Sequence, residues 1–562
     1  MTPLLATLSL TGLDALVFLL FLAAVVGISL YVSRRERSTE DYFLAGRKLT
    51  WWLIGVSLIA SNISTEHFVG MAGSAFGRVG LAIASYEWMA AVTLVFVAWW
   101  FLPRFLRAGI YTMPEFLEYR YDGGTRAIMA AFLMVAYVIV LLATVLYSGA
   151  MALNGIFELP RVFHEQFGLS LAAEAPWRES AEFWATLCGI WMVGIIAAAC
   201  TVYGGLTAVV WSDLLQGGAL LLGGGVVAFL ALKEIGDGSL TQGWRDFVDF
   251  NQDKLHTVLP WNDPDIPWVA VFIGGLWIPN LFYWGLNQFI TQRTLGAKSL
   301  AEGQKGIFLA ALIKLIIPFI IVMPGIMAFQ LYGQEISALG GHAGDKAYPY
   351  MIARLLPASL RGIMFAALCG AVMSTFNSGL NSASTIFTMD LYKRYWRPES
   401  SPQEDVKTGR WATAVLAILA CLWAPVISSF EGVFAYIQEI WGFISPGILA
   451  VFVVGLLVPK TPPAAAKVAL LAGIPLYGFC RFGDAWIQAD WMRSFHQLAF
   501  LHHMLLVFLV LVAMLLIWTW RAPLQKAKPL PVSQLNLEPH PRARLYGCSI
   551  IVLTAGLYAL FW

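Results

Sequence analysis

The chain has 562 residues, of which 59% are hydrophobic and 12% charged, and its mean hydropathy is +0.70. The charges are gathered between apolar runs of roughly 18 to 25 residues, the length that a helix needs to cross a bilayer. A net charge of +2 is too small to indicate a nucleic-acid partner. The composition excludes a soluble multidomain protein and predicts that residues 1–562 form a single membrane domain.

Apolar windows between charged or Pro/Gly-rich breaks predict an all-α polytopic protein with about fourteen transmembrane helices. They lie near 13–32, 51–72, 81–102, 127–150, 183–202, 208–232, 267–291, 306–330, 360–390, 410–428, 436–457, 465–483, 499–520 and 544–561. The first run lacks a preceding basic stretch and a following cleavage site, so we interpret it as a retained helix. The six cysteines lie singly in apolar stretches and are interpreted as core residues.

Basic residues are distributed unevenly over the predicted loops. With the N-terminus outside, the inward loops hold about three times as many Lys and Arg residues as the outward loops, and Arg120, Arg126 and Arg293 are among those counted inside. This predicts that both termini face outward, in a plasma membrane or, for a bacterium, the inner membrane. The long outward connections near 151–182, 233–266 and 331–358 are predicted to hold short interfacial helices.

Two predicted spans are interrupted by polar or helix-breaking residues. The second span contains the run Ala60–His67, and the seventh contains Pro279 and Asn280 within the run Leu276–Tyr283. If spans two to six and seven to eleven form two repeats, each interruption falls in the first helix of its repeat. Matched interruptions predict a central binding site. The alternative is a simple kink, with Ser, Thr and Asn joining neighbouring helices.

Two ionisable residues fall within predicted spans, Glu87 in the third and Lys314 in the eighth. Such groups need a partner or water at that depth, so they indicate either a site or a structural ion pair. A polyol presents many hydroxyls that require donors and acceptors near an aromatic face, which Tyr283 could provide. The polar residues predicted to bind such a substrate are Asn62, His67, Glu87, Asn280, Lys314 and Gln438.

Adjacent hydroxyls occur at Ser374 and Thr375 in the ninth span. A sodium ion that sheds its water needs oxygen ligands, which such hydroxyls and the carbonyls of an unwound helix can supply. The alternative is that both hydroxyls bond to their own helix.

Several long motifs resemble the sodium/solute symporter family, and within it the sodium-coupled glucose and galactose transporters. The motifs are STEDYFLAGR at 38–47, ASNIS at 60–64, ASYEW at 84–88, YGGLTAVVWSD at 203–213, YWGLNQ at 283–288, QRT at 292–294, NS at 381–382, TIFTMD at 385–390, IQE at 437–439 and SPGILA at 445–450. The resemblance implies a leucine-transporter-like core of two inverted five-helix repeats at 51–457. An extra helix and loop at 13–50 would precede it, and three helices at 458–562 would follow.

By position, the resemblance implies roles for individual residues. The polar set above would contact sugar, and Tyr283 would form an inner gate. Met71, Tyr86 and Phe434 would form an outer hydrophobic gate. Sodium would bind carbonyls of Ala60, Ile63 and Ala371 and hydroxyls of Ser374 and Thr375, and Asp213 would take part in cation coupling. His67, Ala90 and Leu141 depart from a bacterial galactose relative, so the resemblance implies a hexose without naming which.

These observations predict secondary active import of a sugar, such as glucose or galactose, by symport with a sodium ion through alternating access. The runner-up is a sodium-coupled carrier of another polyol such as inositol, or of an acidic sugar. An intramembrane enzyme would need a catalytic pair at one depth, and the sequence shows none. The expected partners are sugar, sodium and the lipid bilayer, without nucleic acid, and the expected state is a monomer or weak oligomer.

Overall fold

The computed structural model describes residues 12–32, 38–157, 159–171, 176–338, 343–357, 360–429 and 433–562. Over these residues the chain is helical, and its β pairing is confined to isolated bridges such as that between Leu49 and Ala297. The α-helices, in chain order, are α1 (Gly12–Val32), α2 (Thr39–Leu44), α3 (Trp51–Asn62), α4 (Ala72–Phe76), α5 (Ser85–Phe96), α6 (Leu102–Ala108), α7 (Met113–Arg120), α8 (Gly123–Val135), α9 (Ala143–Phe157), α10 (Leu159–Phe167), α11 (Ala181–Ile235), α12 (Leu240–Phe250), α13 (Trp268–Phe272), α14 (Trp277–Gly285), α15 (Gln288–Leu295), α16 (Leu300–Ile320), α17 (Val322–Ser337), α18 (Ala347–Leu355), α19 (Leu360–Ile386), α20 (Pro402–Trp423), α21 (Val433–Leu457), α22 (Pro463–Phe482), α23 (Asp490–His496), α24 (Phe500–Arg521) and α25 (Ala543–Leu560).

Shorter helical segments join or extend these helices. The π-helical segments are Glu66–Met71, Val97–Phe101, Ala136–Leu142 and Phe387–Trp396. The 3₁₀ turns are Ala45–Arg47, Gly80–Ala84, Gln252–Lys254, Ala343–Lys346, Ala424–Ser429 and Gly483–Ala485.

Within the described ranges, 12 helices are long and apolar enough to cross a membrane. One of them, α11, has 55 residues and would be about 80 Å long if straight, far more than the roughly 30 Å of hydrocarbon. It therefore represents two spans. The shorter apolar helix α3 adds one more, which confirms the fourteen predicted spans.

The bend in α11 lies at Gly205, whose φ of 46° and ψ of −148° are not helical. A side chain here would be strained, because L-residues rarely adopt this backbone conformation. It would also collide, since a Cβ at this position would lie 2.3 Å from the carbonyl oxygen of Tyr42. The bend is thus fixed by close packing against α2.

Past the bend, α11 lies at the centre of the helix packing, against α3 and α19. Helix α3 in turn packs against α16. The approach of α11 to α3 depends on Gly217, where a Cβ would lie 2.5 Å from the Cβ of Ala60. The end of α3 is thereby held close to the face of α11 that carries Asp213.

Helix α25 closes over α5. The ring of Trp88 on α5 lies 5.3 Å from that of Tyr558 and 6.2 Å from that of Phe561, and its indole nitrogen donates to the carbonyl of Leu315. Helix α25 also packs against α16. Residues far apart in the sequence therefore pack around Trp88, which follows Glu87 in α5.

Short helices are present in the connections predicted to face outward, as α10, α12 and α18. Their interfacial position stays a prediction. Two of the arginines counted as inward loop charges are instead buried. Arg126 binds Asp390 at 2.6 Å and Glu118 at 2.8 Å, and Arg120 donates to the carbonyl of Gly455 at 2.6 Å. They stabilise helix packing, so they do not contribute to the orientation signal as free loop charges would.

We expect Gly205→Ala to destabilise the protein, because its backbone strain alone is worth about 1–3 kcal/mol and its methyl group would overlap Tyr42. The measurement is the thermal midpoint of the detergent-purified protein. Gly218→Ala is the matched control on the same helix, since a Cβ at Gly218 has no atom within 4 Å. Equal midpoints for the two variants would contradict this account of the bend.

Candidate binding site at two interrupted helices

The first interruption separates α3 from the π-helical segment Glu66–Met71. Helix α3 makes its last backbone bond from Ile63 N to the carbonyl of Ile59, at 2.8 Å, and Ile63 is extended. The amide of Ser64 turns to Nδ1 of His67, at 3.4 Å, so the carbonyl of Ala60 loses its helical donor. A buried carbonyl needs another partner, since burying it without one is costly.

The hydroxyls predicted to bind sodium lie against this interruption. Ser374 Oγ donates to the carbonyl of Ala60 at 3.3 Å, and Thr375 Oγ1 donates to the carbonyl of Ser61 at 3.2 Å. Both hydroxyls are buried, and so are Ile63 and Ala371. Of the residues predicted as ion ligands, Ser374 and Ala60 are therefore brought together where α19 crosses the end of α3, and Thr375 reaches the neighbouring carbonyl of Ser61.

The second interruption differs from the predicted one. Pro279 does not break a helix, because it is the third residue of α14, where a missing amide proton removes little hydrogen bonding. The non-helical positions lie on either side, at 273–276 and at Leu286 and Asn287. Tyr137 donates to Asn287 Oδ1 and accepts from the amide of Phe289 at 3.2 Å, so a side chain from another span stabilises this interruption.

Polar side chains from four helices meet beside the first interruption. Lys314 on α16 lies 2.5 Å from Glu87 on α5 and also donates to Asn62 Oδ1 at the end of α3. Asn62 Nδ2 donates to the hydroxyl of Tyr283 at 3.0 Å, and His67 Nε2 lies 3.6 Å from Glu87. The side chains of Lys314 and Glu87 are 1% and 4% exposed. Five of the predicted sugar-binding residues thus form one connected cluster.

Aromatic rings cover this polar cluster. The Lys314 ammonium lies 5.0 Å from the centre of the Trp284 ring, within the range of a cation–π contact. The ring of Tyr283 packs against those of Trp284 and Phe289, with centroids 5.2 and 5.4 Å apart. Tyr283 thus combines a hydroxyl that faces the cluster with a ring that packs towards the second interruption.

The other predicted residues differ in how well their positions are defined. Asn280 is buried on α14, and its Nδ2 has no partner among the described residues. Met71 is buried and Tyr86 half-buried, and their role in an outer gate stays a prediction. The side chains of Gln438 and Phe434 lie outside the described part of the chain, although the backbone of both belongs to α21.

A second charged cluster lies on the other side of α3. Asp213 Oδ1 accepts from Ser374 at 2.5 Å, and Asp213 Oδ2 accepts from Ser57 at 2.5 Å and from Ser61 at 3.0 Å. Arg293 on α15 lies 3.1 Å from the same carboxylate. Ser374 therefore connects the predicted ion site directly to Asp213.

Arg293 was counted as an inward loop charge, and that interpretation is wrong. Its side chain is 1% exposed, and it binds Asp213, Ser57 and Ser378. The hydroxyl pairs Ser57 with Ser61 and Ser374 with Ser378, each spaced by one helical turn, are a signal that could have revealed a buried partner. A linear count of basic residues cannot distinguish this arginine from a solvated one.

Chemically, the two clusters can perform different tasks. Around Lys314, the side chains of Lys314 and Asn62 donate to acceptors of the protein itself, so a polyhydroxyl ligand could exchange its own hydrogen bonds for these. Around Ser374 and Thr375, hydroxyl and carbonyl oxygens converge, which suits a hard cation. Both sets include residues at the end of α3.

Comparisons with known proteins agree with this architecture. The family model described as Sodium:solute symporter family matches residues 42–162 and 178–473. A protein named Sodium/glucose cotransporter from Vibrio parahaemolyticus is 39% identical over 577 residues, covering 98% of this chain and 99% of that protein. Sodium/myo-inositol cotransporter 2 from Sus scrofa is 32% identical over 498 residues, covering 82% of this chain and 69% of that protein.

One solved structure shows the fold. Its title describes the substrate-bound outward-open state of a Na⁺-coupled sialic acid symporter; it has a TM-score of 0.75 and 22% identity, and covers 93% of this chain and 100% of that chain. The predicted leucine-transporter-like arrangement of two inverted repeats is thereby confirmed. The limits 51–457 for its core stay a prediction.

We expect Lys314→Met to destabilise the protein, because it leaves the buried Glu87 without its cation, a loss worth about 3–5 kcal/mol. Glu87→Gln combined with Lys314→Met should recover most of this loss but not transport. Thermal midpoints of the single and double variants measure the first effect. The control is Arg161→Ala, which removes an exposed pair with Glu165 and should change little. A double variant as unstable as the single one would contradict the pairing.

Proposed function

Because the chain belongs to the sodium:solute symporter family, we propose that it imports a neutral polyol, in the first place a hexose such as glucose or galactose, by symport with sodium. One observation carries this proposal. The buried polar cluster around Lys314 and the neutral oxygens around Ser374 and Thr375 both include residues at the end of α3. The names of the two relatives, which specify glucose and myo-inositol, support the same substrate class.

In the proposed mechanism, sodium binds the hydroxyls of Ser374 and Thr375 and the carbonyls of Ala60, Ile63 and Ala371. The single proton of Ser374 Oγ can go either to the carbonyl of Ala60 at 3.3 Å or to Asp213 at 2.5 Å. With sodium bound it goes to Asp213, which leaves the hydroxyl lone pairs and the Ala60 carbonyl to face the cation. Asp213 thus orients a ligand and adds negative charge one hydroxyl away from the ion. This is the coupling role that we assign to Asp213.

The sugar binds by replacing internal hydrogen bonds. Asn62 can give up its bond to Tyr283, and Lys314 can share its protons between Glu87 and a sugar hydroxyl. Asn280, whose Nδ2 has no partner among the described residues, supplies a further donor. His67 and Gln438 complete the polar wall, and Tyr283 covers one face of the ring from the inner side while Met71, Tyr86 and Phe434 close the outer side.

Charge balance favours a neutral substrate over an acidic sugar. The ammonium of Lys314 is compensated by Glu87 at 2.5 Å, and the guanidinium of Arg293 by Asp213 at 3.1 Å. A carboxylate ligand would therefore meet no uncompensated cation in either cluster. Among neutral polyols, inositol is the second candidate, because its ring also presents hydroxyls on every side.

Coupling follows from the shared end of α3. Ala60 belongs to the ion site and Asn62 to the sugar site, so an ion that fixes the interruption also positions the sugar's first partner. Each ligand then favours the same backbone arrangement, and the free energy of coupling is reciprocal. We propose that the protein acts in the lipid bilayer as a monomer or weak oligomer.

We place the protein in a plasma membrane, or the inner membrane of a bacterium, with both termini outside and the basic loops in the cytosol. This orientation lets an inward sodium gradient drive import.

Purified protein in liposomes should accumulate labelled hexose when an inward sodium gradient is imposed. A proton gradient should not replace sodium, because the proposed ion ligands are neutral oxygens with no proton to exchange. Potassium should not replace sodium either. The assay compares glucose, galactose, inositol and an acidic sugar under each gradient. Equal uptake in sodium-free buffer would overturn the coupling, and uptake of the acidic sugar alone would overturn the substrate class.

Replacing Thr375 with Val should raise the sodium concentration for half-maximal uptake by roughly tenfold, since one oxygen is lost from a dehydrated ion and such a bond is worth about 1.5–3 kcal/mol. Thr375→Ser is the matched control, because it keeps the oxygen and loses only a methyl group. Ser374→Ala should act in the same direction. Unchanged sodium dependence in Thr375→Val and Ser374→Ala would move the ion site elsewhere.

A further inference from the structure

The segment before α3, from Ala45 to Leu49, is attached on several sides. Leu49 accepts from the amide of Lys298 and donates to the carbonyl of Gly296, both at 3.1 Å. This bridge connects the start of the first interrupted helix to the end of the second. Both ends lie at the face that carries the basic loops, which we place in the cytosol.

Arg47 binds three backbone carbonyls beside this bridge. Its guanidinium donates to the carbonyl of Leu295 at 3.3 Å, to that of Gly109 at 2.9 Å and to that of Ile110 at 3.2 Å. Its Nε lies 2.8 Å from Glu40. These carbonyls lie at and just beyond the C-terminal ends of α15 and α6, where the helix dipole favours a cation. One side chain therefore joins the turn before α3 to the ends of α6 and α15.

The carbonyls that Arg47 binds are themselves held in place. Ser533, in the connection between α24 and α25, donates its amide to the carbonyl of Arg107 at 2.7 Å and its hydroxyl to that of Leu106 at 2.6 Å. Gln288 accepts from the amide of Met113 at 2.9 Å and donates to the carbonyl of Tyr111 at 3.0 Å. The turn at Gly109 is thus a fixed base to which the segment before α3 is attached.

The backbone of the attached segment is strained. Ala45, Gly46 and Arg47 have φ of 51°, 61° and 48°, in the left-handed region. Glycine adopts this conformation readily, but alanine and arginine do so at a cost. Ala45 and Arg47, on either side of Gly46, need bonds from elsewhere in the protein to hold them in this conformation. The hydrogen bonds of the Arg47 guanidinium are bonds of this kind.

We propose that Arg47 is a latch, meaning that its hydrogen bonds keep the cytosolic gate closed. We propose further that the strained turn Ala45–Arg47 is a spring, meaning that release of its backbone strain favours opening. With the latch closed, the turn before α3 stays tied to the ends of α6 and α15, α3 stays packed against α15, and the path from the sugar and ion sites to the cytosol is shut. When the bonds of Arg47 break, the turn relaxes and α3 can swing away. The inference rests on the proposed alternating-access mechanism, and it assigns a gating role to the STEDYFLAGR motif.

The first test uses thiol labelling and does not depend on the transported solute. Leu49 is 4% exposed and Ala297 is fully buried, so Leu49→Cys or Ala297→Cys should react slowly with a membrane-impermeant thiol reagent applied at the basic-loop face. Adding Arg47→Gln should speed labelling by roughly tenfold or more, because several charge-assisted hydrogen bonds are lost. Peptide-resolved mass spectrometry distinguishes these positions from the native cysteines, and Lys48→Gln, at a side chain 79% exposed, is the matched control.

The second test separates the latch from the spring. Arg47→Gln removes the latch and keeps the strain, whereas Arg47→Gly removes the latch and the part of the strain at position 47, because glycine tolerates positive φ. Labelling should therefore be fastest in Arg47→Gln, slower in Arg47→Gly and slowest in the native background. Equal labelling in the native and Arg47→Gln backgrounds, or equal acceleration by Lys48→Gln, would overturn the inference. If the native chain fails to transport any tested polyol while Arg47→Gln still speeds labelling, the proposed substrate fails and the latch stands.

Discussion

A backbone carbonyl buried in the hydrocarbon layer must have a hydrogen-bond donor or a cation beside it, and the site depends on this constraint. Where α3 ends at Asn62, the carbonyls of Ala60 and Ser61 accept from hydroxyls of α19 instead of from amides of their own helix. The same carbonyls are good ligands for an ion without water. An interrupted helix is thus tolerated only where another span supplies donors, and this requirement places α19 against α3.

The charges around α3 follow from the same constraint. Lys314 with Glu87 on one side, and Arg293 with Asp213 on the other, are buried as pairs because a single buried ion would be far more costly. Pairing also leaves both clusters close to electrically neutral. An uncharged polyol can then bind and leave without changing the charge balance of either cluster, whereas a sodium ion adds one positive charge close to Asp213.

Much of the fold could be predicted from the sequence, because hydrophobic length alone indicates a span. Even α11, which continues through two spans, was divided correctly by the polar and glycine-rich run at 203–207. Asn62, Glu87 and Lys314 could be proposed as site residues because polar groups within a predicted span need a partner or water. What the pattern could not supply was their pairing, since Glu87 and Lys314 are 227 residues apart.

Other features could not be read from a linear pattern for identifiable physical reasons. Pro279 signals a break, yet its position in the first turn of α14 makes it harmless, and the true interruptions beside α14 depend on partners such as Tyr137. Arg293 looks like a loop charge because its partners lie on three other helices, α3, α11 and α19, that come from distant parts of the chain. The left-handed turn at Ala45 and Arg47 has no sequence signal beyond Gly46, since tertiary bonds hold it.

The packing of α25 over Trp88 has a consequence for biogenesis. Tyr558 and Phe561 leave the ribosome hundreds of residues after Trp88, yet they pack against its ring. During synthesis, the ring of Trp88 must therefore lie without these partners until α25 has been made. A nascent chain stalled before α25 would already contain every residue proposed to touch sugar or sodium, and still lack this packing on the helix that carries Glu87.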